Sequence, residues 1–325
     1  TRRNALTLAE LCDSYLEAAE KGLILGKGGA PKKASTLEID RGRVERHIKP
    51  LLGRRIVKEL TPADLNRFVR DVTTGKTATV EKSEKLRGKV IVRGGAGTAS
   101  RAVGLLGGIL SFAVSEGIIE TNPARGVKRA ADKKRERRLS PEEYRALGNG
   151  LRQAEAEGEP WWATGPVWLL ALTGCRRNEI VRLQWSAVDA AGKVLRLSDS
   201  KTGASVRPLG DQALKLLNTI PRQNSTSFVF PAPRGNIDAP PRPFGGMQGA
   251  WERIRERAGL PKDIYLHTLR HSFASVAGYL GLAESTIGAM IGHSSGTVTS
   301  RYVHRLVALL VATTDKVVSE IWRQM

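Results

Sequence analysis

Cysteine is nearly missing from this 325-residue chain, which holds only Cys12 and Cys175. Two thiols cannot build a disulfide framework or a four-cysteine zinc site, so the sequence fits a reducing compartment. Long apolar runs are missing too. No stretch approaches the roughly 20 residues needed to span a bilayer, and no membrane partner is expected. The opening Thr1-Arg2-Arg3-Asn4 has neither an apolar leader core nor an initiator Met, so upstream sequence is expected to have been removed. Acidic residues are outnumbered: 32 Asp+Glu face 52 Lys+Arg, for a net charge of +20. This balance excludes an acidic disordered tail and disfavours most small-metabolite enzymes. It calls for a polyanionic partner, nucleic acid before a membrane surface. Core-forming material is plentiful, since 41% of residues are hydrophobic, enough over this length for two ordinary domains. The composition reads as a cytoplasmic, nucleic-acid-facing protein.

Positive charge is not spread evenly. Residues 1–126 carry 23 basic and 14 acidic side chains, residues 139–325 carry 22 and 16, and the short run between them, VKRAADKKRERR, carries 7 and 2. So dense a run is either a solvated tether or a strap along a phosphate backbone, and composition leaves both open. Asn122-Pro123 ends a helix before it. Ser140-Pro141-Glu142-Glu143 starts one after it, by N-cap chemistry with proline in the first turn. The expected organisation is a helical domain over 1–126, a basic linker over 127–138 and a second domain over 139–325.

Local patterns make the fold mainly α. Thr7 caps a first helix whose Leu8, Leu11, Tyr15 and Leu16 share a face, and Ser35 begins a second that Pro50 should close. Thr61-Pro62-Ala63-Asp64 opens a third with Leu65, Phe68 and Val69 inward, and residues 98–117 form a fourth closed by Gly117. Between these two, residues 73–97 read as a surface insertion with a hairpin, Thr77–Val80 returning as Val90–Arg93. The second domain should hold helices at 141–155, 161–173, 177–184, 211–219, 246–258, 268–278, 283–291 and 296–310. A small antiparallel β element sits among them, Val194–Ser198 returning as Val206–Leu209 around a turn at 199–205. Proline and glycine make 231–246 a loop.

Several motifs look chemical and fail on inspection. Gly22 to Lys27 has the wrong spacing for a phosphate-binding loop, and Gly94-Gly95-Ala96-Gly97 follows no strand of a βαβ unit. His267 and His271 are spaced as zinc ligands on a helix would be. The glutamate base of such a helix is missing between them, however, and Arg270 would repel a dication. Asp189 and Asp199 lack the cues of a two-metal nuclease. No metal and no cofactor is expected.

Other short pieces, each weak alone, gain meaning in chain order. Thr173-Gly174-Cys175-Arg176-Arg177-Asn178-Glu179 joins an apolar helix to an amphipathic one, and Lys201-Thr202-Gly203 sits in the β-turn. His267-Thr268-Leu269-Arg270-His271 opens a helix, and Ile291-Gly292-His293-Ser294-Ser295 leads to Tyr302, nine residues after His293. Together they resemble the tyrosine recombinases, the phage integrase family, whose signature runs in this order and at this spacing. Leu183-Gln184-Trp185 fits as well, and so does the stretch from Ala113-Val114 to Asn122-Pro123, so the resemblance covers almost the whole chain. The 73–97 insertion departs from the simplest members.

The resemblance implies a two-domain clamp on duplex DNA: a helical core-binding domain of the SAM-like kind, then a mostly helical catalytic domain with a small antiparallel sheet. It implies site-specific cutting and rejoining without metal or ATP, by the integrase of a mobile element or prophage at a bacterial nucleoid. A homotetramer on double-stranded DNA follows, with DNA-bending accessory proteins as further partners. The catalytic set maps onto Arg176, Lys201, His267, Arg270, His293 and Tyr302. These residue types suit the reaction. Guanidinium forks match the nonbridging oxygens of a pentavalent phosphorus, giving the clamp to Arg176 and Arg270, with His293 adding a hydrogen bond. Tyr302 would form a 3′-phosphotyrosyl link that conserves the bond for rejoining. Its phenol, of pKa about 10, needs a proton acceptor, for which His267 is placed, and Lys201 would protonate the departing 5′-oxygen. His271 and Arg177 read as structural and surface residues, and Tyr265 and Tyr279 lose to Tyr302 on spacing. A type IB topoisomerase-like relaxer and a non-cutting DNA-binding protein remain as alternatives. Last, Thr313-Thr314-Asp315 should break the helix after Tyr302 and cap a short one. Its face of Val317, Val318, Ile321 and Trp322 is expected on a neighbouring protomer, the chain's own domain being the other host.

Overall fold

The structure is a computed structural model describing residues 5–26, 29–82, 88–131, 137–200, 203–233, 240–292 and 303–325, with residues 199, 200, 203 and 303–306 by backbone alone. It divides into two compact units, Thr1–Lys134 and Arg135–Met325. Both are mainly helical, each with one small antiparallel sheet among the described residues.

In the first unit, capping boxes start α1 (Leu8–Glu20) at Thr7 and, two helices later, the helix over Pro62–Thr73 at Thr61. Between them lie α2 (Ala34–Arg43), a π-turn at Val44–Ile48 and α3 (Lys49–Leu52), which run on without a break. The expected stop at Pro50 therefore does not occur. Proline cannot donate to the carbonyl four residues back, and the widened π-turn just before it absorbs that mismatch. The next helix, α4 (Pro62–Thr73), packs on α5 (Ala96–Ser115), and Leu65, Phe68 and Val72 share one core with Val103, Leu106 and Leu110. By length and composition alone α5 could cross a membrane, but half of its apolar window is buried within the protein. The segment between α4 and α5 holds the hairpin, shifted from the expected strands: β1 (Thr79–Lys82) pairs with β2 (Lys89–Val92), Thr79 opposite Val92.

The second unit is built around α7 (Trp161–Thr173), preceded by α6 (Pro141–Ala156) with its capping box of Ser140 and Glu143. α7 is buried from Ala163 to Thr173, as befits a helix apolar on all sides. The following α8 (Arg177–Val181) stops short of the expected 177–184. Leu183 leaves the helix to accept the Val229 N–H, and Gln184 bridges to Phe228. The sheet has three strands rather than two, β3 (Val188–Asp189), β4 (Val194–Ser200) and β5 (Gly203–Pro208), in that order. β4 and β5 reach further than expected, to a pairing of Ser200 with Gly203. After them come α9 (Asp211–Thr219), α10 (Met247–Arg257), α11 (Leu266–Tyr279), α12 (Glu284–Ile291) and α13 (Val303–Gln324). Trp251, fully buried, donates its indole N–H to the Ile264 carbonyl at 3.3 Å.

Both cysteines are core residues. Burial pushes the Cys12 thiol up to about 12 and raises Cys175 as well. Arg137, in the basic run, binds Glu143 and Asp263 and so fastens the start of α6. Lys133, Lys134 and Arg135 lie outside the described residues.

The C-terminal segment differs most from expectation. Thr313-Thr314-Asp315 does not break the helix; α13 runs through it unbroken. Thr313 turns its hydroxyl back onto the Leu309 carbonyl at 2.6 Å, and Asp315 accepts the Asp211 N–H at 2.6 Å, capping α9 rather than its own helix. The apolar face beyond it stays in the chain's own unit: Val317, Val318, Ile321 and Met325 are buried in the second core. Trp322 is 41% exposed and lies 5.4 Å, centroid to centroid, from Trp168. Two glycines admit the helix, because a Cβ at Gly210 would meet Val318 at 2.7 Å and one at Gly148 would meet the Met325 carbonyl at 2.0 Å. Ile321→Ala should therefore cost about 2–5 kcal/mol, as a large-to-small change in a packed core. Urea unfolding followed by far-UV circular dichroism checks this, and a midpoint equal to wild type would detach the tail from this core.

Candidate active site

α7 ends at Gly174, which is left-handed at φ +59°. A Cβ there would also stand 2.7 Å from Cδ1 of Phe273 on α11, so the turn needs glycine twice over. The turn drops Cys175 into the core and sets Arg176 at the N-cap of α8. There Glu179 reaches back: its Oε2 accepts the Arg176 backbone N–H at 2.9 Å, and its Oε1 accepts Arg176 Nη1 at 2.8 Å.

Arg270 arrives from α11, 4% exposed. Its Nη1 donates to the carbonyls of Gly174 and Ile291, both at 2.7 Å. Arg176 Nη2 donates to the next carbonyl, that of Gly292, at 3.3 Å. Two guanidiniums thus hang from consecutive carbonyls at the C-terminal end of α12, where a helix concentrates its partial negative charge. Gly292, left-handed at φ +69°, caps that end and stands directly before His293.

A third guanidinium, absent from the sequence-based set, belongs to the same cluster. Arg207 on β5 is fully buried and donates from Nη2 to Glu179 Oε1 at 3.0 Å. Strand register held the clue. Arg207 lies opposite Leu195, itself fully buried, so the two share the core face of the sheet. Three guanidiniums around one carboxylate leave the cluster with an excess of positive charge. Burial pushes the Glu179 carboxyl up, but the Arg176 N–H and then the charges of Arg207 and Arg176 outweigh it and hold the group below its usual range. Burial, with Arg176 adding to it, draws Arg270 down to about 10, so it stays cationic at neutral pH. Arg270 Nη2 is buried with no hydrogen-bond partner among the described residues. A buried donor of this kind calls for an acceptor.

His267 stands exposed in the first turn of α11, one turn before Arg270, its ring edge-on to His271 at 4.8 Å. The structure thus brings together Arg176 and Arg270 and sets His267 on the helix that carries Arg270. Lys201, His293 and Tyr302 lie outside the described residues, beside Ser200, Gly292 and Val303 respectively. Among other sequence candidates, Tyr279 closes α11 at 88% exposed and Tyr265 precedes its first turn. Lys193 is held by Asp211 and Asp315. Among the described residues no three His, Cys, Asp or Glu side chains gather as a metal ligand set.

Mixed helical architecture, an anion-seeking arginine pair and an integrase-like order of motifs define one class. The phage integrase family's sequence profile matches residues 137–308, just over half of the chain, and the chain belongs to that family, the tyrosine recombinases, enzymes that cut and rejoin DNA strands. Among relatives, the tyrosine recombinase XerD of Corynebacterium glutamicum is 28% identical over 94% of this chain and 93% of its own length. The prophage integrase IntF of Escherichia coli K12 is 29% identical over 44% of this chain and 30% of its own. Among solved structures, a lambda integrase (75–356) dimer bound to a COC′ core site is similar with a TM-score of 0.66, at 20% identity over 90% of this chain and 97% of that one. The Tn1549 transposon integrase in complex with circular intermediate DNA gives 0.62, at 16% identity over 92% and 95%.

Replacing Gly174 tests how the site is assembled. Gly174→Ala should cost more than the about 1–2 kcal/mol of a left-handed Cβ alone, because the methyl also meets Phe273. The double variant Gly174→Ala/Phe273→Leu should recover part of that loss in urea unfolding. No recovery would mean the ring contact is not what constrains the turn.

Proposed function

We propose that this protein is a site-specific recombinase, the integrase of a mobile element or prophage, that cuts and rejoins duplex DNA through a 3′-phosphotyrosyl intermediate. The observation that carries the reading is the Arg176–Arg270 pair: one guanidinium fixed in place beside one that is part-exposed, a surplus of positive charge, and a buried donor with no partner among the described residues. A scissile phosphate supplies what they lack. A donor aimed where charge develops is worth about 10²–10³ in rate, and backbone carbonyls alone hold Arg270 in place.

In this reading Tyr302 attacks phosphorus, His267 accepts the phenolic proton, Lys201 protonates the departing 5′-oxygen and His293 bonds a nonbridging oxygen. Residues 1–126 act as the core-binding domain and 127–138 as the basic linker between it and the catalytic domain, 139–325. Double-stranded DNA is the substrate, and protomers assemble as a tetramer on it. Relatives support this: lambda integrase has been solved as a tetramer bound to a Holliday junction, at a TM-score of 0.65 with this chain. DNA-bending proteins would assist, in a bacterial cytoplasm. A chromosomal recombinase of the XerD kind is the second reading, favoured by a match spanning 93% of that relative. Nicked duplexes carrying the sequences that flank the encoding gene distinguish them. An element integrase joins those ends to a host site, whereas a chromosomal recombinase leaves them untouched.

Tyr302→Phe should keep DNA binding and lose the covalent adduct on a nicked suicide substrate, because only the hydroxyl is removed. A protein–DNA band surviving a denaturing gel would move the nucleophile elsewhere. Lys201→Ala should be slow on normal DNA and fast again on a 5′-bridging phosphorothiolate, since a thiolate leaves without a proton. Equal slowness on both substrates would make Lys201 a DNA-positioning residue.

A further inference from the structure

We infer that Arg207 is a positioning residue for the phosphate clamp: it holds Glu179 in place so that Arg176 is free to turn toward DNA. The inference rests on the recombinase reading above.

Glu179 Oε1 is shared by two guanidiniums, Arg176 at 2.8 Å and Arg207 at 3.0 Å. They are not equivalent. The Arg176 side chain is 20% exposed, whereas that of Arg207 is fully buried. Only Arg176 can reach a ligand arriving from solvent; Arg207 cannot leave. Its Nη1 donates to the Val206 carbonyl at 3.2 Å, and its guanidinium is pressed onto Gly292, where a Cβ would come within 1.9 Å of Cζ and Nη1. Any side chain at position 292 would expel it. Among the described residues Arg207 Nε is buried with no partner and Glu179 is its one ion-pair partner, a costly way to desolvate a guanidinium. A methionine would fill such a place as well or better, so packing alone does not account for an arginine here.

Competition explains it. With Arg207 absent, Glu179 Oε1 would depend, among the described residues, on Arg176 alone for an ion-pair partner, and a phosphate would have to pull Arg176 away from a buried oxygen with no other donor. With Arg207 present, Oε1 keeps a permanent donor while Arg176 exchanges one acceptor for another. The seat on Gly292 adds a second effect, since it fixes the residue directly before His293 from the sheet side.

The test measures single-turnover adduct formation on the nicked substrate for wild type, Arg207→Met, Arg207→Lys and Arg207→Met/Glu179→Gln. Duplex Kd and the urea midpoint are measured alongside, and rates are normalised to folded protein. Arg207→Met should slow adduct formation by at least about tenfold, the scale of a misplaced catalytic group, with Kd within about twofold of wild type. Arg207→Lys should fall between the two. Adding Glu179→Gln to Arg207→Met should restore rate, because a neutral amide releases Arg176; a residue that merely fills space predicts no gain from that second change. Arg207→Met as fast as wild type, or no gain in the double variant, overturns the inference while leaving the recombinase reading intact. A wild type that forms no adduct overturns both.

Discussion

The second unit depends on one buried guanidinium. Arg270 is tied to the carbonyl that ends α7 and to the last carbonyl of α12 while standing on α11, so three helices meet at a single planar group. Such a joint can be made only where the backbone comes close, and the glycines at 174 and 292 provide that by turning left-handed. What results is a positive site in which the Arg270 guanidinium is oriented before any ligand arrives. A donor fixed in this way need not reorganise when it meets an anion.

Much of this was legible in the sequence, and the reasons differ by element. Thr7, Thr61 and Ser140 announce helix starts because capping is a local transaction among four residues, and all three cap as read. Arg176 and Arg270 were legible from motif order, which carries family information that periodicity lacks. Arg207 was not. Nothing in its immediate neighbours marks it, and only the pairing of β4 with β5 puts it on the buried face.

The misreadings arise where something other than the local residue preference sets the backbone path. Thr313-Thr314-Asp315 looks like a cap, yet Asp315 serves α9, a hundred residues earlier in the chain. Pro50 looks like a stop, yet a π-turn makes room for it. Leu183 looks helical, yet its carbonyl is claimed by Val229. In each case a tertiary hydrogen bond or a backbone adjustment outweighs a local preference of about 1–3 kcal/mol.

The placement of tryptophan has a consequence for how this protein can be watched. All six, at positions 161, 162, 168, 185, 251 and 322, fall in the second unit, and the first has none. Indole emission is therefore blind to the first unit, whose sole tyrosine is Tyr15. Trp322 sits on the last turn of α13 against Trp168 of the central helix. The pair couples the optical signal to the seating of the C-terminal helix, so the chain carries its own reporter of whether that helix is docked.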